Sequence, residues 1–273
     1  MPVGTLSSFS SRGVSALNSS LKGLEKTFSQ LASGLRINSA ADDAAGLAIA
    51  SSLFTSASLD TQALRNISDA QSALNIADGA TQQIEAMNAR RTELAMQSSN
   101  GTYSDSQRAT MQQEFDQLGQ EMQRIAKSTE FNGTKLLDGG SISVQVGSDG
   151  SSNSSLSVGG LQLSDTLNAA GPLDISSQAS AQAALTTTQN LSQTLSTQRT
   201  DTIGASQSRL SAAANVISEA RIAKTASYST ITDADVAQSS AMLSMQKVQS
   251  LAGVAVLAQD KNLNALTVTA LLK

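Results

Sequence analysis

The chain has 273 residues, a net charge of −4, no Cys and no His. That leaves room for one or two domains with a sizeable core and excludes disulfides, thiol and imidazole catalysis and most transition-metal sites. Aromatic residues make up 3% and charged residues 15%, so the core must come from Ala, Leu, Ile, Val and Met, which suits closely packed helices, and so small a charge points neither to nucleic acid nor to an acidic membrane surface.

The opening stretch, MPVGTLSSFSSRGVSALNSS, has no apolar core behind a basic start, so no cleavable secretory signal is expected. No run approaches about 20 apolar residues, which predicts no transmembrane helix and no membrane insertion. Leu17, Leu21, Leu24, Phe28, Leu31 and Leu35 follow at spacings of 4, 3, 4, 3 and 4. This is a heptad seam, the pattern of helices that pack along their length. The regularity ends in LASGLRINSAADDAAGLAIA (31–50), where Gly34, Asn38, Asp42, Asp43 and Gly46 interrupt the pattern. Gly and Asn permit a bent backbone, and Asp42 and Asp43 stand where they can cap the next helix. Adjacent acids also raise a metal, but a hard cation takes about six oxygen ligands and no others cluster there. No metal and no cofactor is expected.

A second helix starts near Ala44 and carries Ile67, Ala70, Leu74, Ala77, Ile84, Met87 and Leu94 through to Gln97. Asn100-Gly101 breaks it, and Ser104 or Asp105 can cap a third helix. That helix shows Met111, Phe115, Leu118, Met122 and Ile125 and ends before Asn132-Gly133. Period-two alternation then marks Ile142–Val146, Leu156–Val158 and Leu161–Leu163 as short strands of a hairpin, with a mobile Ser-rich tip at 148–155. From about Ser180 the helical pattern returns with Leu185, Leu191, Leu195, Leu210, Ala213, Ile217 and Ala220. A second break is expected across TASYSTITDADVAQ (225–238), with Asp233 and Asp235 as N-cap and first-turn acids. The last segment, Val236–Lys273, is helical with few charges.

The order is nearly palindromic: helix, break, long helices, strands, long helix, break, helix. With the hairpin as tip, the two ends come back together and the breaks at 34–46 and 226–235 face each other. A helix of ~35 residues spans about 50 Å, so an elongated molecule is expected. Residues 1–35 carry only Arg12, Lys22, Glu25 and Lys26 as charges. Two such terminal helices make a pair too thin to bury its own apolar surface. Disorder in the monomer and burial against other copies in an assembly follow from that. No nucleophile–base pair, phosphate-cradling glycine loop or metal cluster argues for an enzyme.

Several stretches resemble the bacterial flagellins, subunits of the flagellar filament. They are LASGLRINSAADDAAGLAIA (31–50), ISDAQSALNIADGATQQIEAM (67–87), ELAMQSSNGTYSDSQR (93–108), STEFNGTKLLDG (128–139), IGASQSRL (203–210), ASYSTITDADVA (226–237) and the closing LLK. The resemblance implies a mainly α fold: an elongated antiparallel helical bundle with terminal coiled-coil helices and a small β-hairpin region. It implies a terminal coiled-coil domain from 1–44 and 226–273 that lines the filament interior. A helical bundle domain follows from 45–138 and 179–225, and a hairpin and variable tip from 139–178. Gly34, Asn38, Asp42, Asp43 and Gly46, with Asp233 and Asp235, fall in the two connecting spokes. Many flagellins insert large outer domains where this chain has only the hairpin region, and the zinc-protease insertion of some needs His ligands absent here.

The implied function is a structural subunit that self-polymerises into the filament used for motility. The alternative is a junction or cell-surface ligand-binding protein of the same family. The residues expected at the polymer interface are Leu17, Leu21, Leu24, Phe28, Leu31 and Leu35, with Leu251, Val254, Leu257, Leu263 and Leu266. The implied partners are other flagellin subunits, the flagellar type III export apparatus and an export chaperone, and the filament cap and hook-junction proteins. A host toll-like receptor is a further candidate, with contacts falling on Arg90, Leu94, Gln97 and Glu114. The implied location is extracellular, on the flagellum. Gln207–Leu210 and Ser227–Asp233 depart from the family's commonest residues, leaving room for a specialised or minor subunit.

Overall fold

The structure is a computed structural model that describes the backbone of residues 3–147 and 154–271, and side chains from 11 to 262 within those limits. It is mainly α-helical, with two small antiparallel strand pairs. Packing divides it into one unit of Met1–Thr55 with Ala223–Lys273 and another of Ser56–Ile222.

In the first unit, α1 (Val3–Ser33) packs against α7 (Val236–Leu271). The pair runs antiparallel, because Gly13 meets Leu257, Leu17 meets Gly253 and Gly23 meets Gln246. Each large side chain sits where the facing helix has none, so the backbones approach closely. Over the described residues both terminal segments are continuous helices, where the sequence suggested disorder. Over Val236–Asn262, α7 is also long and apolar enough to cross a membrane by length and composition. This corrects the expectation drawn from unbroken apolar runs: Ser, Gln and Gly interleave the Val, Leu, Ala and Met, so no run is long although the average is high.

The same unit contains the start of α2 (Ala44–Ser98) and the end of α6 (Ala205–Thr232). The second break is shorter than expected, because α6 continues to Thr232 and only residues 233–235 leave the helix. The hydroxyls of the Ser/Thr run turn inward instead of breaking it. Thr230 Oγ1 donates to the Ala226 carbonyl at 2.9 Å, and Thr232 Oγ1 to that of Tyr228 at 2.9 Å.

The second unit assembles the rest of α2, α3 (Asp105–Ser128), β1 (Glu130–Phe131), β2 (Thr134–Lys135), β3 (Ser141–Gln145), β4 (Ser155–Gly159), α4 (Leu163–Ala169), α5 (Gln178–Gln198) and the start of α6. Ser104 begins α3 in a capping box with Gln107: Ser104 Oγ accepts from the Gln107 amide while Gln107 Oε1 accepts from that of Ser104. Asn132 and Gly133, at φ of 48° and 81°, do more than end a helix. They form the two-residue turn between β1 and β2, where both central residues need positive φ. In the larger hairpin Val144 pairs with Leu156 and Ile142 with Val158. Residues 148–153 of the expected tip lie outside the described residues. The third expected strand piece is not one: Gln162 makes a single bridge to Asp138, and Leu163 opens α4.

Ile67, Leu74 and Ile84 of α2 form the main core with Met122 of α3, Val144 and Val158 of the hairpin, Leu163 of α4, Leu195 of α5 and Leu210 of α6. A satellite core joins Leu94, Phe115, Ile175 and Ala181. Between α5 and α6 lies a π-helical turn, Arg199–Gly204, which buries Ile203. Arg199 fastens this turn to α2 by ion pairs with Asp78 at 2.6 Å and Glu85 at 3.2 Å.

Candidate assembly surface

The apolar seam of α1 divides. Leu17, Leu24 and Leu31, seven residues apart, are half-buried, and Ser20 and Thr27 turn inward between them. On α7 the inward set is Ser239, Leu243, Gln246, Ser250, Gly253 and Leu257. The other half of the α1 pattern faces out: Leu21 is 48% exposed and Phe28 63%, with Val14 in register one turn-pair earlier. The outer face of α7 carries Met242, Met245, Val248, Leu251, Val254 and Val256, and Leu251 is 71% exposed. Of the residues expected at a polymer interface, Leu21, Phe28, Leu251 and Val254 are thus free on the surface. Leu17, Leu24, Leu31 and Leu257 are occupied within the pair, and Leu35 is half-buried beside Asp233. The side chains of Leu263 and Leu266 lie outside the described residues. Sequence reasoning missed Val14, Val248, Val256 and the two methionines, and it missed the small inward residues. Their signal was the same heptad, read for Gly, Ser and Thr as well as for Leu.

The two breaks are joined. Gly34 takes φ of 71°, which a side chain would strain. Leu35 bridges Asp233, the Arg36 amide donates to the Thr232 carbonyl at 2.6 Å, and the Ala234 amide donates to the Gly34 carbonyl at 2.9 Å. Arg36 Nη2 adds a bond to the Ile231 carbonyl at 2.6 Å, an orphan acceptor near the end of α6. Asn38 Nδ2 reaches back to Ser29 Oγ at 3.1 Å.

The paired acids separate in role. Asp43 caps α2, accepting from the Gly46 amide at 2.8 Å. A Cβ at Gly46 would overlap that carboxylate and the Ile37 side chain. Asp42 is not the cap: it accepts from the Asn38 amide at 3.3 Å, the Ser39 amide at 3.2 Å and Lys26 Nζ at 2.8 Å. The Lys26 bond, aided by those amides and the Ser39 hydroxyl, pulls its pKa down to about 2. Asp235 caps α7 through the Gln238 amide at 3.0 Å. Asp233 belongs to the end of α6, where its amide donates to the Ser229 carbonyl and its carboxylate accepts from the Ser229 hydroxyl. It is not a first-turn acid of α7. Among the described residues no three His, Cys, Asp or Glu side chains gather to hold a metal ion.

Of the four candidate receptor contacts, three are on the surface. Arg90 pairs with Glu114 at 2.9 Å and Glu93 at 3.1 Å, which raises the arginine pKa. Gln97 Nε2 donates to the Tyr103 hydroxyl at 2.9 Å. Leu94 is not a surface residue; it is buried with Phe115 and Ile175 in the satellite core.

A thin antiparallel helix pair, tied off by hydrogen-bonded breaks and apolar on its outer faces, belongs to the class of structural proteins that associate through helical termini. Comparison with known proteins makes the class specific. The bacterial flagellin N-terminal helical region matches residues 8–141 and the bacterial flagellin C-terminal helical region matches residues 185–272. Flagellin of Halalkalibacterium halodurans is 35% identical over 245 residues, 89% of this chain and 88% of that protein. Flagellin B of Vibrio cholerae is 41% identical over 152 residues, which span 55% of this chain but only 40% of that relative. The crystal structure of Bacillus cereus flagellin superposes with a TM-score of 0.51 at 27% identity, covering 56% of this chain and 88% of that one. The chain belongs to the flagellin family.

Proposed function

We propose that the chain is a structural subunit that polymerises through its terminal helices into the helical filament of the bacterial flagellum, which serves motility. The observation that carries this reading is the outward half of the heptad on α1 together with the apolar outer face of α7. An exposed apolar surface of this extent on a helix pair marks an interaction site. Family membership supports the same reading, and the flagellins are a structural family. Residues 1–44 and 226–273 line the filament interior, 45–138 and 179–225 form the helical domain around them, and 139–178 carry the hairpin and tip. The subunit has no enzymatic role, cofactor or metal.

The same reading places the protein outside the cell, delivered by the flagellar export apparatus with a chaperone on the apolar C-terminal segment. Cap and hook-junction proteins contact it there. A toll-like receptor would meet Arg90, Gln97 and Glu114, since Leu94 supports that surface from below. Seeding or salting out the purified full chain, followed by electron microscopy, tests the main proposal. Long uniform tubes with a narrow lumen are expected. Persistent monomers with intact termini would overturn it in favour of a junction or surface ligand-binding role.

A further inference from the structure

The second unit contains a cleft of about 460 Å³ that neither the assembly surface nor the receptor patch uses. Arg91 of α2, Asp116 and Gln123 of α3, and Leu167 and Leu173 on either side of the end of α4 line it. Arg91 is 8% exposed. Its guanidinium stacks on the Phe115 ring at 4.1 Å from the centroid and lies against Gly119, where a Cβ would stand 3.5 Å from it. Neither neighbour accepts a hydrogen bond from it in this arrangement. Arg91 Nε is buried without a partner, and among the described residues no acid lies close enough to form an ion pair with the guanidinium. An arginine stays protonated in a protein, and a buried cation short of hydrogen bonds is costly.

The opposite requirement lies on the next helix. Gln123 spends its amide nitrogen on Asn168 Oδ1 at 2.8 Å, which leaves Gln123 Oε1 buried without a donor. Asp116 accepts one bond, from Gln112 Nε2 at 2.8 Å, and otherwise faces solvent. Its charge opposes the downward pull of burial on the Arg91 pKa, so the two charges sense each other without touching. One cleft therefore holds a cation without an ion pair, an unpaired amide oxygen and a solvent-facing carboxylate. A plain anion would neutralise Arg91 but face Gln123 Oε1 and Asp116. A plain cation would face Arg91. Water would solvate the neutral oxygen but supply no counter-charge.

We propose that this cleft binds a small zwitterion of the α-amino-acid class, with its carboxylate on Arg91 and its ammonium toward Asp116 and Gln123 Oε1. Leu167 and Leu173 offer apolar wall for a short side chain, and the volume lies in the usual range for small-molecule sites. The site does not depend on polymerisation. Titrating the folded full-length monomer with L-alanine, acetate and methylamine, with the Arg91 Nε–H resonance as reporter, tests it. Alanine should shift that resonance saturably, while acetate and methylamine each bind at least about tenfold more weakly, the worth of one lost charge-assisted contact. Asp116→Asn should weaken alanine without weakening acetate, and Arg91→Met, followed by titration calorimetry because it removes the reporter, should abolish both. Should Arg91→Met fail to fold, the wild-type resonance and Asp116→Asn still decide. Acetate binding as tightly as alanine, or an Arg91 resonance unmoved by tens of millimolar alanine, would overturn the proposal.

Discussion

Asp42 and Asp43 are adjacent and chemically alike, yet only Asp43 caps the helix that follows. Asp42 instead gathers two amides, a hydroxyl and Lys26 around the break after α1. Its pKa, lowered from 3.8 to about 2, gives the pair a definite pH signature. A depressed carboxylate contributes stability that is complete above its unfolded pKa and is lost as pH falls through the folded one. The tie should therefore be intact above about pH 4 and fade toward pH 2. Lys26→Met should raise the Asp42 pKa toward its ordinary value, read by carboxyl-carbon NMR. Wild type and variant should differ in stability at neutral pH and converge near pH 2. An Asp42 titration unchanged in the variant would assign the shift to the amides alone.

At the scale of elements, α1 and α7 have two kinds of surface built from similar residues, and substitution should separate them. Leu24 faces α7 and is half-buried, so Leu24→Ser should cost about 1–2 kcal/mol, part of the value for burying a leucine. Leu21 and Phe28 touch little in the monomer, so Leu21→Ser and Phe28→Ser should leave monomer stability within about 0.5 kcal/mol. The same two changes should sharply raise the concentration needed for polymerisation, measured by sedimentation. The reverse pattern, a destabilised monomer that polymerises normally, would place the interface elsewhere. This division also marks how far the sequence could be read. The heptad from Leu17 to Leu35 announced a packing helix. It could not say which half was inward, because Leu21 and Leu24 are the same residue type and the deciding partners are the small side chains Gly13, Gly253 and Ser250. The helices of the second unit were legible because Ile67, Leu74, Ile84 and Met122 face the main core and Phe115 the satellite core. The seven-residue α4 was not, since Leu161-Gln162-Leu163 alternates like a strand and tertiary packing of Leu163 decides otherwise. Nor was the π-turn, whose single extra residue leaves no mark on an apolar pattern. Of the assembly surface, the apolar stripe was visible and its exposure was not. Arg91 passed unnoticed because it follows Arg90, and adjacent arginines on a helix read as solvated charge.

The two units should differ in how firmly they hold their hydrogen bonds. The second unit has side chains of no measurable exposure on several elements, among them Ile84, Phe115, Met122, Leu163, Leu195 and Leu210. Opening any of them breaks contacts on several neighbours at once. In the first unit the described parts of α1 and α7 share a single seam, in which Gly, Ser, Thr and Gln alternate with Leu. Helices that short of buried apolar surface draw little stability from packing, and isolated helices are marginal in water. Local opening free energies follow buried contact density, from near zero up to the global value. In the full-length monomer, amide exchange along α1 and α7 should therefore be faster than in residues 67–94 of α2 by at least about two orders of magnitude, equivalent to about 3 kcal/mol. Polymerisation covers the outer faces of the pair, so in filaments the same amides should slow by a comparable factor while those of α2 change little. Equal protection in monomer and filament along α1 and α7 would mean that the exposed apolar faces stay in water after assembly. The association would then have to run through the second unit.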